Sequence, residues 1–213
     1  MSLRARQQEE KQERRNSILD AAEKVFFAKG YDRATMDDIA RDARLSRGLV
    51  YVYFRDKQDI LASIVLRALE SLRQRFRNMD RTELNGADRL EAMGRNYLAF
   101  SAEEPNYFDV LTRAASDWLQ GDSLADRDSL LHCSGEVMEI MARALRDGLA
   151  DGSVEPARVS DPLETALYLR GALHGVIMLT RNFAEQPEEL NHVSPHSLLE
   201  YTIRTLIESI RRR

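Results

Sequence analysis

Apolar positions recur along this chain at helical spacing nearly from end to end. Ile18, Ala21, Ala22, Val25, Phe26 and Phe27 predict a first helix, with Gly30 as its stop. Thr35, followed three residues later by Asp38, has the form of a capping box: the hydroxyl accepts an early helical N–H and the carboxylate reaches back. It opens a short helix whose inward face is Met36, Ile39, Ala40 and Ala43. Ser46 is a cap for another short helix to about Tyr53 or Phe54, and Asp56 with Asp59 marks the start of a fourth. That fourth helix carries Ile60, Leu61, Ile64, Val65, Ala68, Leu69, Leu72 and Phe76.

Local propensity objects at one place. Val50-Tyr51-Val52-Tyr53-Phe54 is the strongest β-forming run by composition. No alternating run lies within pairing reach, and a lone strand would leave its backbone groups unpaired. As a helix, Val50 and Phe54 stack at i and i+4 on one face, so the stretch is read as helical.

Further helices follow around Leu90–Phe100, Phe108–Leu119 and Leu130–Leu149, with Gly121–Ser129 read as a loop. The last two are broad: Leu163 to Leu179, starting at Pro162, and Leu199 to Ile210, starting at Pro195. Gly171 and Gly175, four apart, would let another helix approach closely. The broad apolar surface on these two elements is either internal core or a subunit interface. The fold class is all-α: a three-helix helix-turn-helix domain over residues 1–60, then a larger helical domain over 61–213.

Composition adds limits. The 213 residues are 43% hydrophobic and 31% charged, enough apolar material for a sizeable core. No apolar stretch approaches the roughly 20 residues that cross a bilayer. MSLRARQQEEKQERR lacks the apolar core of a secretory signal, so the expected location is cytoplasmic, with no membrane partner. The net charge of −4 is unevenly spread: residues 1–60 carry 13 Lys/Arg against 11 Asp/Glu, and the remainder 18 against 24. A mildly basic end on an acidic protein suits DNA binding at that end only.

A second and third helix joined by a sharp turn make a helix-turn-helix, whose later helix enters the major groove. Residues 18–65, ILDAAEKVFFAKGYDRATMDDIARDARLSRGLVYVYFRDKQDILASIV, strongly resemble the TetR family of transcriptional regulators. The resemblance implies a helix-turn-helix domain on an all-helical C-terminal domain, usually a homodimer. Residue by residue, it places Thr35 near phosphate at the cap of the second helix and Ser46 at the start of the recognition helix. Arg47, Gly48, Tyr51 and Val52 fall at groove-facing positions, and Tyr53 and Lys57 at phosphate-contact positions. The chemistry agrees: Arg47 suits guanine O6 and N7, and the Val52 methyls suit a thymine methyl. Three positions depart from the usual pattern. Arg44 replaces the turn glycine, at a cost of about 1 kcal/mol if left-handed, while adding a candidate phosphate contact. Leu49 stands where a phosphate-bonding Thr is usual, and Val52 where a second aromatic is usual.

The resemblance also implies an effector site and a dimer. Candidate wall residues are Met93, Tyr97, Phe100, Phe108, Leu111, Trp118, Met138, Met141, His174 and Met178, which suggest a hydrophobic or aromatic effector, although such a stripe at helical spacing is usually ordinary core. For the dimer, the last two helices supply Leu167, Gly171, Gly175, Leu199, Ile203, Leu206 and Ile207. The expected partners are double-stranded DNA with a palindromic operator, a second copy and a small effector. No cofactor and no metal are expected. His132, His174, His192 and His196 form no HExxH pair, and no GxGxxG, P-loop or nucleophile elbow occurs, so the chain is read as a regulator, not an enzyme. A ligand-independent or activating regulator, and a helical interaction protein without DNA binding, stay open as alternatives.

Overall fold

A computed structural model describes residues 3–80, 83–113, 127–181 and 193–213. The helices are α1 (Leu3–Lys29), α2 (Met36–Asp42), α3 (Arg47–Tyr53), α4 (Lys57–Asp80), α5 (Gly86–Glu103), α6 (Pro105–Arg113), α7 (Arg127–Asp151), α8 (Pro162–Arg181) and α9 (Pro195–Ile210). A 3-10 turn at Pro156–Arg158 and one isolated bridge between Val154 and Arg211 complete the described backbone. No helix among the described residues is long and apolar enough to cross a membrane. The chain forms two compact units, residues 1–68 with 109–131, and residues 69–108 with 132–213.

In the first unit α1 packs on α2, and α2 on α3. The charged lead-in before Ile18 is a helical extension of α1 rather than a separate arm. Gly30, at φ 80°, ends α1, a conformation that costs a residue without Cβ little. Ile18, Ala22, Ile39, Val50, Phe54, Ile60 and Ile64 are buried here. Two polar ties cross the bundle: Arg67 donates to Asp20 at 2.7 Å and Glu23 at 3.0 Å, and Arg15 donates to the Ser63 hydroxyl at 2.8 Å while lying over the Phe54 ring.

The larger helical unit is built on α5, α8 and α9, which contact one another. Phe76, Leu90, Met93, Phe100, Phe108, Leu145, Leu173 and Ile177 are buried in it. The close approach lies between Gly86 on α5 and Gly148 on α7: a Cβ on Gly86 would sit 2.2 Å from the Gly148 nitrogen. By contrast, among the described residues a Cβ on Gly171 or Gly175 would meet nothing within 4 Å.

Candidate DNA-reading helix and effector cavity

Helices α2 and α3 have seven residues each, too short to persist alone. Their ends are closed by side chains. Thr35 Oγ1 accepts the Asp38 N–H at 3.1 Å and the Asp38 carboxylate accepts the Thr35 N–H at 3.2 Å, the expected capping box. Ser46 accepts the Leu49 N–H at 3.2 Å, and Asp56 accepts the Asp59 N–H at 2.8 Å. Asp38 also takes hydrogen bonds from Lys29, at 2.7 Å, and from Arg41. The Lys29 bond, followed by those from Thr35, holds its carboxyl well below the usual carboxylate range.

The turn between α2 and α3 resolves the question of Arg44. Its φ is 56°, and among the described residues it is the one non-glycine at positive φ. The Leu45 N–H bonds to the Ala40 carbonyl at 2.9 Å and the Arg44 N–H to the Arg41 carbonyl at 3.2 Å. That is a Schellman ending with arginine at the left-handed position that glycine normally fills.

The turn presents α3 with one polar-and-apolar face outward. Arg47, Gly48, Tyr51 and Val52 are exposed, Val52 at 71% and Tyr51 at 41%, while Val50 is buried. Arg47 lies over the Tyr51 ring at 5.5 Å and donates to Asp37 at 3.2 Å. The Tyr51 hydrogen bond, then the Asp37 charge, push the Arg47 pKa up, so the guanidinium stays charged. Leu49 and Tyr53 are half-buried.

Two expected phosphate contacts are otherwise engaged. Lys57 donates to the carbonyls of Tyr31 at 2.7 Å, Ala34 at 3.0 Å and Asp32 at 3.3 Å, and sits 4.3 Å from the Tyr31 ring centre. An ammonium has three hydrogens, so this lysine staples the α1–α2 loop to the start of α4 instead of standing free for phosphate. The Thr35 hydroxyl likewise donates to Asp38 at 2.9 Å, and must leave that bond before it can donate to phosphate. In the charged stretch before Ile18, Arg15 is turned inward and Arg6 pairs with Glu10.

In the larger helical unit, Phe76, Leu90, Met93, Gly94 and Tyr97 line one side of a cavity, and Met141, Leu169, Arg170, Leu173, Ile203, Leu206 and Ile207 the other. The cavity measures about 30 Å³. About 10–15 Å³ of such room holds one water, so any larger occupant must displace flexible walls such as Met93 and Met141.

Of the residues expected at this wall, Met93, Tyr97 and Met141 line the cavity. Phe100, Phe108 and His174 instead form an adjoining ring cluster around Tyr97, with centroids 5.7 to 6.4 Å from it. Met138 is buried, Leu111 and Met178 half-buried, and none of the three lines the cavity. Trp118 and His192 lie outside the described residues. The Tyr97 hydroxyl and His174 Nδ1 are 2.8 Å apart. Burial pushes the Tyr97 phenol up to about 12 against a smaller opposing pull from Arg170. Burial, then the Arg170 charge, hold His174 below its usual value. The pair is therefore a neutral hydroxyl hydrogen-bonded to a neutral imidazole.

The dimer residues need correction. Ile203 and Ile207 are 2% and 6% exposed and, with Leu206, line the cavity of their own chain, because this α9 face is covered by α5 and α8. They are internal core. Leu199 is half-buried, while Leu167 and the open glycines Gly171 and Gly175 do lie outward. Sequence reasoning did not single out Arg170, which no apolar pattern marks, or the outward Tyr168 and Tyr201, while Leu163 and Leu179, the bounds of its broad apolar surface, do lie outward.

Comparison with known proteins matches both parts. Residues 18–64 fit the family described as bacterial regulatory proteins, tetR family, and residues 90–206 fit the tetracyclin repressor-like C-terminal domain. The transcriptional activator FasR of Mycolicibacterium smegmatis is 32% identical over 158 residues, 68% of this chain and 71% of its own. The regulator TtgR of Pseudomonas putida is 26% identical over 73% of this chain and 77% of its own. Similarity to the regulator HbdR of Aromatoleum sp. is 44% but local: it covers 30% of this chain, which spans only 28% of that relative's length. Among solved structures, SmeT, the repressor of the Stenotrophomonas maltophilia efflux pump SmeDEF, superposes with a TM-score of 0.67 at 21% identity, over 93% of this chain and 90% of that one. FadR of Bacillus subtilis in complex with stearoyl-CoA superposes at 0.69 with 18% identity, over 92% and 98%. Both show a shared fold.

Proposed function

The chain belongs to the TetR family of bacterial DNA-binding regulators, and on that premise we propose that it is a homodimeric repressor released from a palindromic operator by a small apolar effector. Residues 1–60 form the reading head, and residues 61–213 hold the effector and the subunit contact. The outward face of α3 carries this reading: an exposed valine beside a charged arginine stacked on tyrosine, on the helix that follows the turn. Arg47 exchanges Asp37 for guanine O6 and N7, Val52 meets a thymine methyl, and Tyr51 reaches a base or phosphate. Ser46 and Gly48 let the backbone come close, while Thr35, Arg44 and Tyr53 lie nearest the phosphates.

The second copy docks on the outer face of α8 and α9. Leu163, Leu167, Tyr168, Leu179 and Tyr201 are large, exposed and apolar, and Gly171 and Gly175 leave room for a partner helix. An effector weakens DNA binding only if it prefers a dimer geometry that fits the operator poorly. The relatives divide on the sign of regulation, FasR being an activator and SmeT a repressor. Transcription from the selected promoter, with and without the protein, decides between them here.

The central experiment is selection of genomic fragments by the purified protein. Wild type should retain fragments sharing an inverted repeat, and Arg47→Ala with Tyr51→Ala should lose them. Retention of the same fragments by that double variant would remove α3 as the reading helix. A monomer at micromolar concentration in sedimentation would remove the dimer.

A further inference from the structure

The partly buried arginines of the larger unit come with carboxylates. Arg73 and Arg77 share Glu136, Arg75 reaches Glu103 and Glu104, Arg89 pairs with Asp147 at 2.7 Å, and Arg211 with Asp88 at 2.7 Å. Arg170 departs from that rule. It is half-buried on α8, next in sequence to the buried Leu169, and it is the one charged residue among those that line the cavity. Among the described residues it makes no hydrogen bond and no ion pair. Its charge is felt by the Tyr97 hydroxyl and the His174 ring, both of them neutral.

A guanidinium withdrawn from water without a counter-charge is costly, and it presents five N–H donors in a planar fork. A carboxylate satisfies that fork with two parallel bonds. Apart from Tyr97, whose hydroxyl is already bonded to His174, these side chains of the wall serve no polar ligand: Phe76, Leu90, Met93, Leu173 and Ile203 offer only carbon and sulfur surface.

The geometry points to an amphipathic carboxylate as the effector, with its apolar body between α5, α8 and α9 and its carboxylate on Arg170. This rests on the reading of the cavity as the effector site. It goes further by naming the chemical class: apolar acids bind, and the matching alcohols and amines do not bind as well. The Tyr97 hydroxyl, on the same cavity wall and bonded to His174, lies within the field of that guanidinium.

Calorimetric titration of the full chain with decanoate, decanol and decyltrimethylammonium tests it. A charge-assisted pair in a partly dry site is expected to favour decanoate over decanol by roughly tenfold or more. Arg170→Gln should abolish that preference, bringing decanoate affinity down to that of decanol on the same variant, and Arg170→Lys should recover part of it. Equal binding of decanoate and decanol to wild type would overturn the assignment of charge while leaving the cavity as an effector site. Binding of none of the three would remove the effector site itself and the inference with it. If Arg170→Gln turns a dimer into a monomer, the guanidinium serves the subunit contact and the inference is wrong. Should Arg170→Gln not fold, the wild-type ratio and Arg170→Lys decide alone.

Discussion

The helices proposed to meet DNA and the helices that enclose the cavity are held by different forces. Around α2 and α3 the polar groups decide: Thr35 with Asp38, Ser46 with the Leu49 N–H, and Lys57 across three carbonyls. Around the cavity the rings of Phe100 and Phe108 are buried against Tyr97, and two glycines let α5 and α7 nearly touch. Capping acts over three or four residues and contributes about 1 kcal/mol per cap. Core packing acts between residues far apart in the chain and contributes several times more per side chain. Loss of a cap around α2 and α3 should therefore be mild beside loss of a buried ring in the cavity-bearing unit.

The harshest test is Phe100→Ala. The ring is fully buried against Tyr97 and Phe108, and its loss should cost about 3–5 kcal/mol, read from urea denaturation. Gly86→Ala comes next, at about 3 kcal/mol, because the new methyl meets the backbone of Gly148 and Ala144 and not a movable side chain. Gly171→Ala is its control: it meets nothing among the described residues and should not destabilise the monomer, whereas it should weaken the dimer if a partner helix packs there. Thr35→Ala removes one cap and should cost about 1 kcal/mol. If Thr35→Ala costs as much as Phe100→Ala, the division into local polar and long-range apolar stabilisation is wrong.

That division also explains what could be read in the sequence. The capping box at Thr35 and Asp38, the Ser46 cap and the helical state of Val50–Phe54 depend on residues three or four apart, so local spacing reveals them. Even the left-handed Arg44 could be anticipated from the missing glycine. The cavity could not be read in the same way. Tyr97 and His174 are 77 positions apart, and nothing local pairs them. Ile203 and Ile207 lie on an apolar face of α9, but periodicity cannot tell whether that face is covered by its own chain or by a second copy. The glycines at the close approach, Gly86 and Gly148, are 62 apart on different helices, whereas Gly171 and Gly175 drew notice only by sharing one. Arg170 escaped because a search for a pocket by its apolar residues passes over a charge.

The next contrast is a slope with pH. His174 sits below its ordinary value of 6.5 in the folded chain, mainly by burial, so folding favours the neutral ring. The unfolded chain takes up the proton first as pH falls. The contribution of His174 to stability is therefore complete above about pH 6.5 and is lost as pH drops from there towards the folded value. Urea midpoints between pH 8 and pH 5 should fall for wild type, and fall less for His174→Gln, whose amide can still accept from Tyr97. No titrating group of this kind is proposed to act in the reading head, so Thr35→Ala should shift the whole curve down without changing its slope.

The smallest expected change is the one most specific to this chain. Arg44→Gly relieves a left-handed residue with a side chain, about 1–2 kcal/mol by the usual cost. It also gives the unfolded chain a flexible glycine, which takes back about 0.4–1 kcal/mol. The net gain in stability should be only about half a kilocalorie per mole, within reach of paired urea curves. Affinity for the selected operator should move the other way. If Arg44 meets a phosphate, the logarithmic salt slope of binding becomes shallower by about 0.9 per subunit when it is removed. A variant that is slightly more stable and less salt-dependent in binding would mean that the turn carries strain in order to hold a charge against DNA. Unchanged salt dependence would leave Arg44 as a residue that this turn merely tolerates, and would shift the phosphate contacts towards Thr35 and Tyr53.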